Sequence, residues 1–72
     1  MTTIPTTYLS VRTNTQGKRV WTVMHRELPL AANNESLADI LAVARHHFGK
    51  TVLPVWDGDS GQFVSEMTTS EN

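Results

Sequence analysis

Cysteine is absent from the 72-residue chain, which removes any disulfide framework and any thiolate metal site. The fold therefore needs no oxidising compartment, and a cytoplasmic location is expected. Long apolar runs are missing too. No window reaches the roughly 18 residues of a membrane span, and the first residues lack the charged start and apolar run of a signal peptide, so a soluble chain with no membrane contact is expected. Charge of one sign is scarce: six Lys and Arg stand against seven Asp and Glu, for a net charge of −1. That balance argues against strong nonspecific nucleic-acid binding and equally against a polyanionic mimic of DNA. Repeats, low-complexity tracts and linkers are also lacking, which leaves no sign of a second domain.

What remains is a single small domain, residues 1–72, in which 39% of residues are hydrophobic. A chain of this size buries only about 60% of its unfolded surface, so modest stability is expected. Residues 1–7, threonine-rich with Pro5, and the polar residues 68–72 carry no motif. Both ends are expected to fray, leaving an ordered core of about residues 8–67.

The stretch from Asn34 to Gly49 has helical periodicity. At about 100° per residue, Leu37, Ile40, Leu41, Ala44 and Phe48 share one arc, while Asp39, Ala42 and His46 point away from it. Ser36, followed three residues later by Asp39, resembles a capping box with a shorter carboxylate. Glu35 and Asp39 suit the positive end of the helix dipole, and Arg45, His46 and His47 suit the negative end. Gly49 is a natural stop. Lone helices of this length are marginal in water, so the apolar arc must dock on other elements.

Those elements are two hairpins. Residues 8–13 alternate as a strand, and residues 19–25 are a second β-rich run. A three-residue loop, Thr15, Gln16 and Gly17, with Gly17 in the left-handed region, pairs Asn14 with Lys18. Leu9 and Val11 then lie across from Val23 and Trp21 on one face. Tyr8, Ser10 and Arg12 lie across from Met24, Thr22 and Val20 on the other; a two-residue loop would reverse the partners. Residues 26–33, interrupted by Pro29, lead to the helix, with Leu28 and Leu30 tucking under its start. After Gly49, residues 51–56 and 62–66 flank the dense turn chemistry of residues 57–61. Pro54 puts its strand at an edge or a bulge. The expected fold is α+β, ββαββ, an antiparallel sheet with one helix packed across one face.

Gly58, Asp59, Ser60 and Gly61 match four letters of the nucleophile motif of chymotrypsin-like proteases. Those enzymes are several times longer, their motif continues with glycine where Gln62 stands, and no histidine context like theirs lies upstream; the string reads as a turn. Asp57, Asp59 and Gly61 also echo a calcium loop, but a third acidic or amide ligand, a glycine at position 62 and a glutamate at position 68 are missing. His46 and His47 diverge by about 100° on a helix, so they cannot readily share a metal. His46 is expected to be solvated and His47 to flank the core near the sheet. With no glycine-rich phosphate loop, paired carboxylates or nucleophile–base–acid set, the chain is expected to be no enzyme and to hold no cofactor or metal.

The sheet supplies the functional signal. The second strand is apolar on both faces, with Trp21 and Val23 on one and Val20 and Met24 on the other, and the second hairpin repeats this with Leu53 and Val55 against Val52 and Trp56. A sheet with one protected face normally turns polar residues outward. The uncovered side is therefore expected to present Tyr8, Val20 and Met24, fringed by Arg12 and Arg26, as a protein-binding surface rich in the residue types that interface cores enrich. The leading expectation is a non-enzymatic protein-binding module that self-associates as a homodimer or docks on a larger protein or complex, such as a host nucleoprotein complex. By size and inferred architecture the chain resembles the small cytosolic binders of phages and mobile elements, anti-CRISPR proteins among them, and that resemblance implies inhibition of host defence machinery. The alternative is a small nucleic-acid binder in which Tyr8 and Trp21 stack bases and Arg12, Lys18, Arg19 and Arg26 hold phosphates. Against it, the glycine–aromatic string of RNA-binding sheets is missing, and Asp57, Asp59 and Glu66 make the second hairpin acidic.

Overall fold

The structure, a computed structural model, describes residues 5–69. Strands β1 (Thr7–Thr13) and β2 (Arg19–His25) form an antiparallel hairpin. Leu9 faces Val23, Val11 faces Trp21 and Tyr8 faces Met24, the register expected from the three-residue loop. Asn14 closes the turn: its N–H donates to Lys18 O at 2.8 Å, and its Oδ1 accepts from the N–H groups of Gln16 and Lys18. Gly17 has φ +79°, a conformation that penalises any Cβ by about 1–2 kcal/mol.

The chain then reverses through Arg26 and Glu27, both at positive φ, into a two-residue edge strand β3 (Leu28–Pro29) against His25 and Met24. It keeps following β2. Leu30 N–H donates to Val23 O at 2.9 Å, and Asn34 exchanges both main-chain bonds with Trp21. Proline fits here because an edge strand has no outer ladder to feed. Leu30 packs against the core, whereas Leu28 is 67% exposed, contrary to the expectation that both tuck under the helix.

Helix α1 (Leu37–Phe48) starts at Ser36, whose side chain accepts from Asp39 N–H at 3.3 Å, and ends at Gly49, whose N–H donates to Arg45 O at 2.8 Å. The reciprocal half of the capping box is supplied elsewhere: Ser36 N–H donates to Asn34 Oδ1 at 2.7 Å. Ile40 and Ala44 are buried, with Leu41, Val43 and Phe48 half-buried beside them. They close over Leu9, Val11, Val23, Leu53 and Val55 to form the core.

Strands β4 (Val52–Asp57) and β5 (Gln62–Thr68) complete a five-stranded sheet in the order β3-β2-β1-β4-β5. The expected antiparallel sheet is corrected here to a mixed one, because β4 runs parallel to β1 with Leu9 beside Val55 and Ser10 beside Trp56. The reason is positional. The stretch from Leu28 to Asn34 occupies the outer edge of β2, so the free edge in the first half is that of β1. That stretch runs antiparallel to β2, the helix returns the chain toward His25, where Phe48 meets its ring at 5.1 Å, and β4 sets out in the direction of β1. A bulge interrupts the β4–β5 ladder between Val55 and Trp56.

The expectation of frayed ends at residues 1–4 and 70–72 lies outside the described residues. Within them the ends are held. Thr7 Oγ1 and His25 Nδ1 are 2.8 Å apart. Thr69, 2% exposed, donates its hydroxyl to Gly49 O at 2.8 Å and accepts from Thr51 N–H at 3.0 Å. The C-terminal edge of the fold thus ties down the loop after the helix instead of fraying at position 68. Among the described residues, no helix is long and apolar enough to cross a membrane.

Candidate functional site

One face of the sheet carries α1; alternation along the strands assigns Tyr8, Ser10, Arg12, Val20, Thr22, Met24, Trp56 and Phe63 to the other. Three aromatic rings form a row across it. Phe63 meets Tyr8 edge-on at 5.7 Å and Trp56 edge-on at 5.0 Å, contacts worth about 0.5–1.5 kcal/mol each beyond the area they bury. The parallel β1–β4 pairing makes the row, since it sets Trp56 next to Ser10, one pleat from Tyr8 on the same face. Beside the row, Ser10, Arg12, Val20, Thr22, Met24, Pro29 and Asn33 ring an open hollow of about 220 Å³.

The expected surface is only partly as drawn from sequence. Tyr8 and Met24 are half-buried and Arg12 is exposed. Val20 is a correction: it is 8% exposed even though no helix covers it. The loop after β3 leans on this side, and Thr22 Oγ1 donates to Ala31 O at 2.7 Å, so Thr22 and Val20 form the floor of the hollow. Arg26 stands apart from the other four. It lies in the β2–β3 turn, donates its N–H to Thr6 O at 2.8 Å, and lines a separate hollow of about 320 Å³ with Pro5, Thr6 and Glu27. Arg12, paired with Val20, is near the opposite end of the hairpin. The sequence-derived set lacked Phe63 and Trp56. Trp56 was visible in the apolar alternation of its strand, whereas the bulge hides the face of Phe63 from any period-two pattern.

The stacking platform of the nucleic-acid reading is not assembled. Trp21 packs against the core on the helix side, opposite Tyr8, and the three open-face rings meet edge to face. Lys18 Nζ lies 3.6 Å from Glu35 Oε1, and Arg19 is near enough to Asp59 to favour its ionised form.

The acidic turn is tied to the fold. Gly61 N–H donates to Asp57 O at 2.8 Å and Asp59 N–H to Asp57 Oδ1 at 2.9 Å. Asp59 Oδ2 accepts the Thr13 hydroxyl at 2.7 Å and the Thr13 N–H at 3.1 Å. The hydroxyl bond, then the backbone bond, hold the Asp59 carboxyl below its ordinary pKa of 3.8. Ser60 is exposed in the turn. His46 and His47 are both exposed, with ring centroids 5.5 Å apart. The histidine at the helix–sheet contact is therefore His25, not His47. Among the described residues, no three His, Asp or Glu converge as metal ligands do. No protein-family model, curated protein or solved structure matches this chain.

Proposed function

We propose that this chain is a non-enzymatic protein-binding module that acts by occupying a surface of a larger protein or complex, the mode of a small phage- or mobile-element inhibitor. The observation that supports this reading most is the aromatic row of Tyr8, Phe63 and Trp56 running beside Met24 and the Arg12-rimmed hollow, on the face that α1 leaves uncovered. Aromatic, methionine and arginine side chains around a shallow depression are the residues that anchor protein interfaces. The rings are already fixed by contacts with one another, so docking would order few side chains and lose little entropy.

Val20, on the floor of the hollow, is too buried to probe that surface, whereas Met24 on the same strand is half-buried and lines the hollow. Protein immobilised for capture from native host extract is expected to retain a specific partner, to lose it with Met24→Asp, and to keep it with Ala42→Asp on the solvated side of α1, all three having the parent's far-UV circular dichroism at the capture temperature. Equal capture by both variants would reject the open face as the docking surface. Salt-sensitive oligonucleotide binding of micromolar strength or better, lost in Arg12→Ala, would instead establish the nucleic-acid reading.

A further inference from the structure

The hollow on the open face has a cation at its rim and no acid in its lining. Its polar atoms come from Arg12, Ser10, Thr22 and Asn33, beside Val20 and Met24. The fold keeps carboxylates away from Arg12. Its partner across the β1–β2 ladder is Val20. On the other flank stands Gly58, whose N–H donates to Val11 O at 2.8 Å and where a side chain would start 3.4 Å from Arg12 Cβ. The acids of that turn are engaged elsewhere: Asp57 Oδ1 accepts from Asp59 N–H, and Asp59 holds Thr13, the next residue along β1, on its opposite face. Lys18 and Arg19, the other cations at this end, are matched with Glu35 and Asp59. Among the described residues, Arg12 has no carboxylate in ion-pair range, and the side chains of Ser10 and Asn33 make no hydrogen bond. Residues 1–4 and 70–72 are too short to reach Arg12. Val55 lies beside Leu9, so Thr69, bonded to Thr51, leaves the sheet level with Pro5. From there to Arg12 is about 23 Å along the strand, whereas four residues span at most about 14 Å.

We infer that this hollow receives an acidic side chain, Asp or Glu set beside an apolar residue, from the protein that docks on the open face. The inference rests on the protein-binding reading above and names the chemistry of the partner. Charge decides the head group. A protein that covers this face must answer Arg12, because a guanidinium buried without a partner is strongly unfavourable. A carboxylate answers it through two parallel N–H bonds, and Ser10 and Asn33 can donate to the lone pairs that remain. The lining suits the rest of the residue: its methylene stem lies along Val20 and Met24, and its apolar neighbour meets the row of Tyr8, Phe63 and Trp56. Size decides the source. About 220 Å³ is under the roughly 300–1,000 Å³ of small-molecule sites, so the hollow takes one side chain of a larger body and not a free ligand. One guanidinium is also too little cation for a nucleic-acid backbone, whose affinity comes from many phosphate contacts.

A phage-displayed library of random peptides, selected on the immobilised full chain, tests the inference, with each binder placed by the backbone amide NMR shifts it causes. Peptides that shift Arg12, Val20 and Thr22 are expected to share an Asp or Glu at one position. Replacing that acid by its amide, or Arg12→Gln in the chain, is expected to weaken binding about tenfold or more. Making both changes is expected to add nothing to either alone. Arg12→Glu is expected to select peptides with Lys or Arg at the same position. Arg12 is exposed, so both variants are expected to keep the parent's far-UV circular dichroism. Peptides that occupy the hollow without a shared acid, or whose acid counts as much in Arg12→Gln as in the parent, overturn the inference while the protein-binding reading stands. Failure of every peptide to shift the open face, with an oligonucleotide shifting the same amides, overturns both in favour of nucleic acid.

Discussion

The two faces of the sheet hide their apolar residues by different means. On the helix side Leu9, Val11, Val23 and Val55 are at most 2% exposed, because Ile40 and Ala44 of α1 press onto them. On the open side Val20 and Thr22 reach 8% and 6% with no helix above, under a rim of neighbouring side chains and the loop after β3. The first kind of burial is interlocked between two elements. The second is a cover whose parts can move aside. A void made on the helix side therefore stays a void, while a change on the open side can be relieved by neighbours and water.

That difference predicts a ranking, with the helix side at the top. Ile40→Ala is expected to cost about 2–5 kcal/mol, a large part of the roughly 5–15 kcal/mol available to a domain. Met24→Ala, half-buried on the open side, is expected to cost under about 2 kcal/mol. Urea denaturation of both variants measures the gap, and equal costs would erase the distinction between the faces. Leu41, on the same helix but half-buried, should fall between them.

A charge at Val20 sharpens the comparison further. On a freely exposed site Val20→Asp would be almost neutral, but in a floor position it leaves a carboxylate short of solvent, at a cost of about 1–3 kcal/mol. Arg12 lies directly across the β1–β2 ladder from Val20 and can relieve part of that cost as a cross-strand partner. Val20→Asp combined with Arg12→Ala is accordingly expected to be less stable than the sum of the two single changes. Additive melting shifts would mean that the guanidinium does not reach the floor of the hollow.

What could be read from the chain was local. Gly17 and the alternation on both sides of it determine the first hairpin and its register, and Ser36 and Gly49 mark the helix ends, because each signal acts within a few residues of itself. The place of β4 beside β1 was not legible, since both hairpins have free edges in principle and nothing in residues 52–57 names a neighbour. The choice depends on residues 28–34 occupying the outer edge of β2, a role obscured by Pro29. The candidate surface inherits this gap: Tyr8 and Met24 follow from the hairpin, but the row through Trp56 and Phe63 exists only once the parallel pair and the bulge are known. Thr69 was missed for a similar reason, because its burial depends on main-chain groups about twenty residues away, at Gly49 and Thr51.

The smallest expected effect marks the lower end of the ranking, where a contact belongs to neither face. Asp59 ties the β4–β5 turn to Thr13 at the end of β1, in solvent. Its carboxyl is held below its ordinary pKa, first by the Thr13 hydroxyl and then by the Thr13 N–H. A depressed carboxyl stabilises the fold above its unfolded pKa of about 3.9 and loses that contribution as pH falls through the lowered folded value. Thr13→Val is therefore expected to raise the Asp59 pKa toward 3.8 in a carbon-detected NMR titration, since the hydroxyl is the larger cause. It should also lower stability slightly at neutral pH, where that contribution is fully present, by an amount that vanishes as pH falls through the folded value and that solvent screening keeps small. An Asp59 titration identical in the parent and in Thr13→Val would show that the turn is not anchored through this pair.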